Sequence, residues 1–289
     1  MHFSPTQLTM PIDAWIYKYQ HLNDEERHTL GGGFPMYGGA AVGKGVQEKF
    51  DPESVRASAQ RFGETSTFVG SVAEIREREV RLYNDRIEAK DSVEKERVLE
   101  TVDAVRQYAI DGVREIVGAF PVQCEKKITT RFRHCMVEII GYIDLFVESP
   151  CKIIELKTVW DNSHRGMKQG WASKKLPARP SNAHVSQVSV YWKALTDKGK
   201  NPEVFVVYAG KSGYVIYSQK NCESLSEDSL MKNLQQMRIQ AIVRESLLGL
   251  RGFSQMTRFV PPNFDHPYIW EMPPEKLAEA KALWGISDV

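Results

Sequence analysis

Within the first 120 residues, apolar positions recur at helical spacing near the start of the chain and again from about residue 90. Ser4-Pro5 predicts a helix start, because a capping hydroxyl precedes a proline in the first turn. Residues 31–45 are rich in glycine and predict a flexible loop that leads into a helix at 46–50. From about residue 90 to 120, apolar side chains recur three and four positions apart, which predicts one long amphipathic helix ended by Pro121.

After residue 121 the pattern changes to runs of β-branched and aromatic residues. These runs predict strands at 128–133, 136–147, 152–158, 204–208 and 214–217. Further helices are predicted from Ser181 to about residue 195, at 226–248, and after Pro273-Pro274. A long polar loop is predicted at 159–180. This order predicts an α/β fold with a mixed central sheet flanked by helices, and with helical additions at both ends.

The same order predicts one compact domain in three parts. A mainly helical part covers 1–120, a strand-rich core covers 121–225, and a helical extension covers 226–289.

Charged residues interrupt two of the predicted strands. Glu155 and Lys157 lie two positions apart and share one face of a strand, while Ile154 and Leu156 face the other side. A turn at Ser149-Pro150 can bring Asp144, on the preceding strand, beside Glu155. Charge on a buried strand is rare unless it is paired or binds a metal. The alternative is an ion pair at a solvated strand edge.

Two neighbouring carboxylates indicate a cation site. They repel each other unless a cation lies between them. Hard oxygen ligands with open positions favour Mg²⁺ or Mn²⁺ over zinc. Such an ion could polarise a phosphodiester and generate hydroxide from bound water. Lys157 could orient or deprotonate that water, or neutralise the negative charge that develops on phosphorus.

The helix after Ser181 carries a polar stripe. His184, Gln187 and Tyr191 lie at positions i, i+3 and i+7, which places them on one helix face. Beside the acidic strands this face would contact substrate phosphate or position Lys157. The structural alternatives are a surface or capping role for His184 and a core role for the Tyr191 ring.

Taken together, Gly141-x-x-Asp144, Glu155-x-Lys157 and Gln187-x-x-x-Tyr191 resemble the motifs of the PD-(D/E)XK nuclease superfamily. The resemblance covers roughly residues 125–220 and is closest to the RecB-type exonucleases, which include phage recombination and mitochondrial genome maintenance enzymes. It implies a restriction-endonuclease-like core and Mg²⁺- or Mn²⁺-dependent hydrolysis of DNA that leaves a 5′-phosphate.

The resemblance also implies roles for individual residues. Asp144, Glu155 and the backbone carbonyl of Leu156 would bind the metal, and Lys157, Gln187 and Tyr191 would complete the catalytic set. Members of the family usually carry Gly-x-x-x-His, whose histidine reaches the metal. The best match here places Gln47 at that position, so Gln47 or the neighbouring Glu48 is predicted to complete the metal site.

Two further cofactor classes are predicted to be absent. Related iron–sulfur nucleases place one cysteine early and three late, whereas the four cysteines here lie between residues 124 and 222. Residues 38–45 nearly match the P-loop pattern GxxxxGK[ST], but Gly45 replaces the metal-binding hydroxyl and no apolar strand comes before them. The sequence therefore predicts neither an iron–sulfur cluster nor a nucleotide site.

Any affinity for DNA must come from a local patch, because the 289 residues carry a net charge of only +1. Between Asp161 and Asp197 there is no acidic residue, while basic residues and a tryptophan recur. Such a segment suits phosphate contact and base stacking, although an ordinary solvated loop is the alternative. The residues predicted to contact DNA are Arg131 and Arg133, which alternate on a predicted strand, and His164, Arg165, Lys168, Trp171, Lys174, Lys175, Arg179 and His184.

The cysteines show no paired spacing, and neither a signal segment nor a 20-residue apolar run is apparent. The expectation is a cytoplasmic protein, with a mitochondrial location left open. The main functional prediction is an exonuclease that needs a DNA end, in recombination, repair, replication or DNA degradation. The alternatives are a structure-selective or site-specific endonuclease on the same core, and a DNA-binding module without catalysis. A recombination or replication protein is an open partner class, and the sequence sets no oligomeric state.

Overall fold

The computed structural model describes residues 2–23, 26–27, 34–54, 92–160, 162–163, 171–172, 175–250, 252–264 and 274–286. The chain divides into two compact units, and each is described by itself. The first unit comprises Met1–Gly31, Thr129–Ile140 and Leu234–Val289, and the second comprises Gly32–Ile128 and Gly141–Asn233. The three-part division at residues 120 and 225 stays a prediction.

Most of the helices lie at the two ends of the described chain, and most of the strands lie in the middle. The helices are α1 Pro5–Thr9, α2 Ile12–Ile16, α3 Phe34–Phe50, α4 Ser92–Val117, α5 Asn182–Thr196, α6 Glu227–Leu248, α7 Phe253–Phe259 and α8 Pro274–Leu283. A π-helical turn at Tyr17–His21 follows α2, and a 3₁₀ turn at Glu223–Leu225 precedes α6. The strands are β1 His2–Phe3, β2 Gln123–Thr130, β3 Glu138–Val147, β4 Lys152–Val159, β5 Asn162–Ser163, β6 Trp171–Ala172, β7 Glu203–Gly210 and β8 Gly213–Ser218.

The predicted mixed sheet flanked by helices is confirmed. The sheet has six strands in the order β1-β3-β4-β7-β8, and β2 also pairs with β3. β4 runs antiparallel to β3 and parallel to β7, while β7 and β8 form an antiparallel hairpin. The parallel step from β4 to β7 contains α5, as a crossover between parallel strands requires. β5 and β6 form a separate two-stranded ribbon.

In the second unit, one face of the sheet packs against α3 and α4. Val42 and Val46 of α3 and Val105 and Val113 of α4 share a core with sheet residues that include Leu145, Ile154 and Val207. The spacing of these buried residues on α4 is the periodicity that predicted a long helix. On β4, Glu155 therefore faces away from this core, because neighbouring residues on a strand point to opposite faces.

The first unit has a core of its own around α2 and α8. Ala14, Tyr17, Leu22 and Ala280 form a buried cluster. Ser4 caps α1 as predicted, since its Oγ accepts a hydrogen bond from the Gln7 N–H at 3.2 Å. No helix in the described ranges is long and apolar enough to cross a membrane.

Four local features differ from the predictions. The glycine-rich stretch expected as a loop is helical from residue 34, because α3 packs its apolar face against α4, and this burial outweighs the weak helix propensity of glycine. β2 begins at Gln123 and ends at Thr130, so Arg131 and Arg133 follow the strand instead of alternating on it. Helix α7 was not predicted, and the expected 159–180 loop contains the β5–β6 ribbon.

Candidate active site

The site begins where the paired ladder of β3 and β4 ends. The pairs are Leu145↔Ile154, Phe146↔Ile153 and Val147↔Lys152, and Asp144 is the next residue of β3 beyond them. There the Leu156 backbone N–H donates a hydrogen bond of 2.8 Å to the Asp144 carboxylate oxygen Oδ2. The Asp144 side chain thus takes the place of a strand partner and is fixed against β4.

Glu155 is the most enclosed charged group of the site. Its side chain is 0% exposed, and its Oε1 accepts a hydrogen bond from the Lys157 ammonium. Its other oxygen, Oε2, is buried and has no hydrogen-bond partner among the described residues. Burial raises the pKa of Glu155 to about 8; the nearby Asp144 charge adds to this rise and Lys157 opposes it.

Asp144 and Lys157 share the same electrostatic environment. Burial raises the pKa of Asp144, while Lys157 and the Leu156 N–H oppose that rise. For Lys157, burial lowers the pKa, but the carboxylates of Glu155 and Asp144 outweigh burial and raise it above its ordinary value. The side chain, 24% exposed, is therefore held as a cation by its pair with Glu155 and by the nearby Asp144 charge.

Glu125 is a third carboxyl group of this site, and the sequence reasoning missed it. It lies on β2 and lines the same cleft as Asp144 and Lys157. Burial and the Asp144 charge raise its pKa, and the hydrogen bond from Gln47 opposes the rise. The backbone of Glu125 has φ 51°, which is uncommon for a residue with a side chain and often marks functional sites. The sequence could have indicated Glu125 as an acid on a strand, but the strand was predicted to begin at residue 128, whereas it begins at Gln123.

Of the two residues predicted to complete the metal site, Gln47 lines the cleft. Its Nε2 donates a hydrogen bond of 2.7 Å to Glu125 Oε1. The Gln47 amide, which lies on α3, thus orients the Glu125 carboxylate on β2. Glu48, the next residue on α3, is not among the described residues that line the cleft.

Gln187 and Tyr191 interact with each other. Gln187 Nε2 donates a hydrogen bond of 2.8 Å to Tyr191 Oη, and Tyr191 is 2% exposed. Burial and the Glu155 charge raise the pKa of Tyr191, which places the phenol near the buried carboxylate. Neither side chain is among the described residues that line the cleft.

The cleft has a volume of about 700 Å³. One wall is the glycine-rich face of α3, which contributes Gly39, Ala40, Gly43, Lys44 and Gln47. A methyl group added at Gly39 would come within 2.9 Å of Thr158 Oγ1, so the helix backbone lies close to β4. The remaining lining comes from Glu125, Asp144, Leu145, Leu156, Lys157, Thr158 and His184. Residues 38–45, which resembled a P-loop, thus lie inside a helix.

The structure describes only some of the residues predicted to contact DNA. His184 lines the cleft, while Lys175 and Arg179 are exposed before α5. Arg131 and Arg133 belong to the first unit, where Arg131 pairs with Glu138 at 3.3 Å. The predictions for His164, Arg165, Lys168, Lys174 and the side chain of Trp171 fall outside the described residues.

The donor set is of the type that binds a hard divalent cation. Asp144 and Glu155 offer carboxylate oxygens, and Glu155 Oε2 is a buried oxygen without a described partner. Such an orphaned oxygen is costly unless a ligand satisfies it. The described ranges hold no group of three or more His, Cys, Asp or Glu side chains already arranged around one metal position. The chemistry of these residues therefore fits Mg²⁺ or Mn²⁺. In the structure, Lys157 donates to Glu155 Oε1, and Oε2 is the oxygen without a described partner.

The comparisons with known proteins support the fold. No family model matches the chain, and no curated protein matches it by sequence. A crystal structure of a protein from Eubacterium rectale, described as a candidate exonuclease, matches with a TM-score of 0.50 and 13% identity, covering 86% of this chain and 83% of that one. The crystal structure of SSO0001 matches with a TM-score of 0.29 and 14% identity over 64% of this chain and 77% of that one. The chain thus has a mixed α/β fold similar to that of the Eubacterium rectale protein.

Proposed function

We propose that this protein is a divalent-metal-dependent deoxyribonuclease of the PD-(D/E)XK superfamily that degrades DNA from an end. The observation that carries the proposal is the Asp144, Glu155 and Lys157 cluster, in which two carboxyl groups and one cation meet where the β3–β4 ladder ends. The fold shared with the candidate exonuclease of Eubacterium rectale supports it.

Mg²⁺ or Mn²⁺ would be held by Asp144, Glu155 and the backbone carbonyl of Leu156. When bound, the ion supplies Lewis-acid polarisation of the scissile phosphodiester and lowers the pKa of the attacking water. The Leu156 N–H fixes the orientation of Asp144 before any ligand arrives. Preorganisation of this kind spares the protein a rearrangement during the reaction.

Lys157 would act as a cation beside the reacting phosphate. The carboxylates around it favour its protonated form, so charge stabilisation fits it better than proton abstraction. Glu125, held by Gln47, would provide a further acceptor across the cleft for water or for a cation. Gln187 and Tyr191, which hydrogen-bond to each other and do not line the cleft, would shape the buried surroundings of Glu155 without touching the substrate.

The test is digestion of end-labelled linear DNA and covalently closed circular DNA with Mg²⁺, Mn²⁺ or EDTA. We expect linear DNA to be degraded only with the divalent ions, and the closed circle to survive. Asp144→Asn should abolish degradation, since it removes one of the two carboxylates while keeping nearly the same shape. Asp197→Asn is the matched control, because Asp197 is an exposed residue at the end of α5.

Each contrary result has its own meaning. Undiminished activity of Asp144→Asn would remove the cluster from the reaction. Cleavage of the closed circle would favour the endonuclease alternative. Binding of linear DNA without degradation in either ion would favour a DNA-binding module.

A further inference from the structure

The start of α5 holds a hydrogen-bonded chain that the proposed chemistry does not use. His184 Nδ1 lies 2.6 Å from Tyr208 Oη, and the two rings are 5.5 Å apart between centroids. The Ser181 backbone N–H donates a hydrogen bond of 3.1 Å to the same Tyr208 oxygen. Tyr208 is 4% exposed, so this oxygen relies on protein partners.

These contacts determine which nitrogen of His184 carries the proton. The Ser181 N–H can only donate, so Tyr208 Oη is the acceptor in that bond. The Ser181 side chain also acts on this oxygen as a donor, so the phenolic hydrogen needs an acceptor of its own, and His184 Nδ1 lies 2.6 Å from that oxygen. His184 is therefore the tautomer with hydrogen on Nε2.

The position of His184 keeps it neutral. Tyr208 on β7 is the strand partner of Lys157 on β4, so the histidine lies near the Lys157 cation. Burial, together with a smaller contribution from the Lys157 charge, lowers the pKa of His184 to about 4. The ring lines the cleft, and Nε2 makes no hydrogen bond within the described part of the chain.

We propose that His184 uses Nε2–H as a neutral hydrogen-bond donor to a non-bridging phosphate oxygen of the substrate, and that Tyr208 and Ser181 are positioning residues that fix its tautomer. The choice of a phosphate oxygen as the acceptor rests on the proposed nuclease function. Lys157 is already paired with Glu155, so a separate donor beside it adds direction to phosphate binding without adding charge. A phosphate oxygen suits this donor, because hydrogen bonds to charged acceptors are the strong ones.

The tautomer can be measured without any activity. In protein with ¹⁵N-labelled histidine, kept in EDTA at pH 7, we expect the ring nitrogens of His184 to report the Nε2–H form. Tyr208→Phe removes the hydroxyl that donates to Nδ1, and the two tautomers should then mix. His184 in the Nδ1–H form in the unsubstituted protein would overturn the proposal.

The donor can be tested with a pair of substitutions that differ in where they place an amide. His184→Gln carries an N–H near the original Nε2, whereas His184→Asn places it near Nδ1. With linear DNA and Mg²⁺, we expect His184→Asn to lower kcat/KM by about tenfold to a hundredfold, the effect of one hydrogen bond to a charged group. His184→Gln should keep kcat/KM within about fivefold, as rescue by the variant that retains the donor.

Failure of this inference is distinct from failure of the nuclease function. If Asp144→Asn is inactive and both His184 variants match the unsubstituted protein, His184 does not bind the substrate and the inference is wrong. If the unsubstituted protein degrades no DNA, the nuclease proposal fails. In that case titration with thymidine 5′-monophosphate, followed through the His184 nitrogen resonances, still tests the donor. Unmoved Nε2 and Nδ1 resonances at saturating nucleotide would overturn it.

Discussion

At the scale of single residues, neighbours decide what each acid can do. Glu155 and Glu125 have the same side chain, but Glu155 is enclosed with Lys157, whereas Glu125 is exposed at the cleft and held by Gln47. Burial raises the pKa of Glu155 to about 8, and the walls of the cleft remove enough water from Glu125 to raise its pKa as well; the charge of Asp144 adds to both rises. Glu155 therefore suits the role of a buried metal ligand, and Glu125 suits the role of an acceptor for groups that enter the cleft.

Gln47 is expected to act through Glu125. Gln47→Leu removes the amide that donates to Glu125, and we expect nuclease kcat/KM to fall by about fivefold to twentyfold, because this hydrogen bond is exposed to solvent and acts on the reaction only through Glu125. Gln47→His can still donate to the carboxylate and should keep most of the activity. The comparison uses initial rates on linear DNA at one Mg²⁺ concentration. Equal rates for Gln47→Leu and the unsubstituted protein would show that this orientation does not matter.

The stability of the metal-free protein should depend on the protonation of His184. Its pKa falls from 6.5 in the unfolded chain to about 4 in the folded protein, so folding opposes its protonation. The resulting contribution to the free energy of unfolding, at most about 3 kcal/mol, is fully present above pH 6.5 and is lost as the pH falls toward 4. Urea unfolding in EDTA at several pH values should show a steeper loss of unfolding free energy for the unsubstituted protein than for His184→Gln. Parallel curves would contradict the shift.

At the scale of elements, glycines serve two different purposes on the two long helices of the second unit. On α4, Gly112 lets the helix approach the sheet, because an added Cβ would lie 3.0 Å from carbon atoms of both Tyr214 and Val207. On α3, Gly43 faces the open cleft, and an added Cβ would meet nothing within 4 Å. Helix propensity alone treats these two positions as equal.

Alanine substitutions should therefore have opposite effects on stability. Gly43→Ala should raise the free energy of unfolding by about 0.5–1 kcal/mol, since alanine favours a helix and has room there. Gly112→Ala should lower it by about 1–2 kcal/mol, because overpacking against β7 and β8 outweighs the propensity gain. Urea denaturation of both variants measures this. A stabilised Gly112→Ala would show that α4 shifts without cost.

At the scale of the whole molecule, stability and the binding of a cation should be linked. A cation that binds the folded protein stabilises it by about 2.7 kcal/mol at a hundredfold excess over its Kd. We expect Mg²⁺ or Mn²⁺ to raise the melting temperature by several degrees and EDTA to reverse the rise. Asp144→Asn should show no such rise, whereas Asp197→Asn should show all of it. Equal shifts in both variants would place the bound ion elsewhere.

The sequence by itself determined most of the elements and the central cluster. Strand alternation placed Glu155 and Lys157 on one face, and the apolar repeat predicted the helix observed as α4. These features depend on residues close together in the chain, where periodicity is visible. Ser181 as the cap of α5 was predictable for the same reason.

Only the tertiary structure decided which distant residues join that cluster. Glu125 and Gln47 are 78 positions apart, and Tyr208 follows His184 by 24, so no local pattern links either pair. Packing of α3 on α4 turned a glycine-rich segment into a helix and placed Gln47 opposite β2, because apolar burial outweighs local propensity. The charged centre was thus visible in the sequence, while the Gln47–Glu125 and His184–Tyr208 pairs around it required the folded chain.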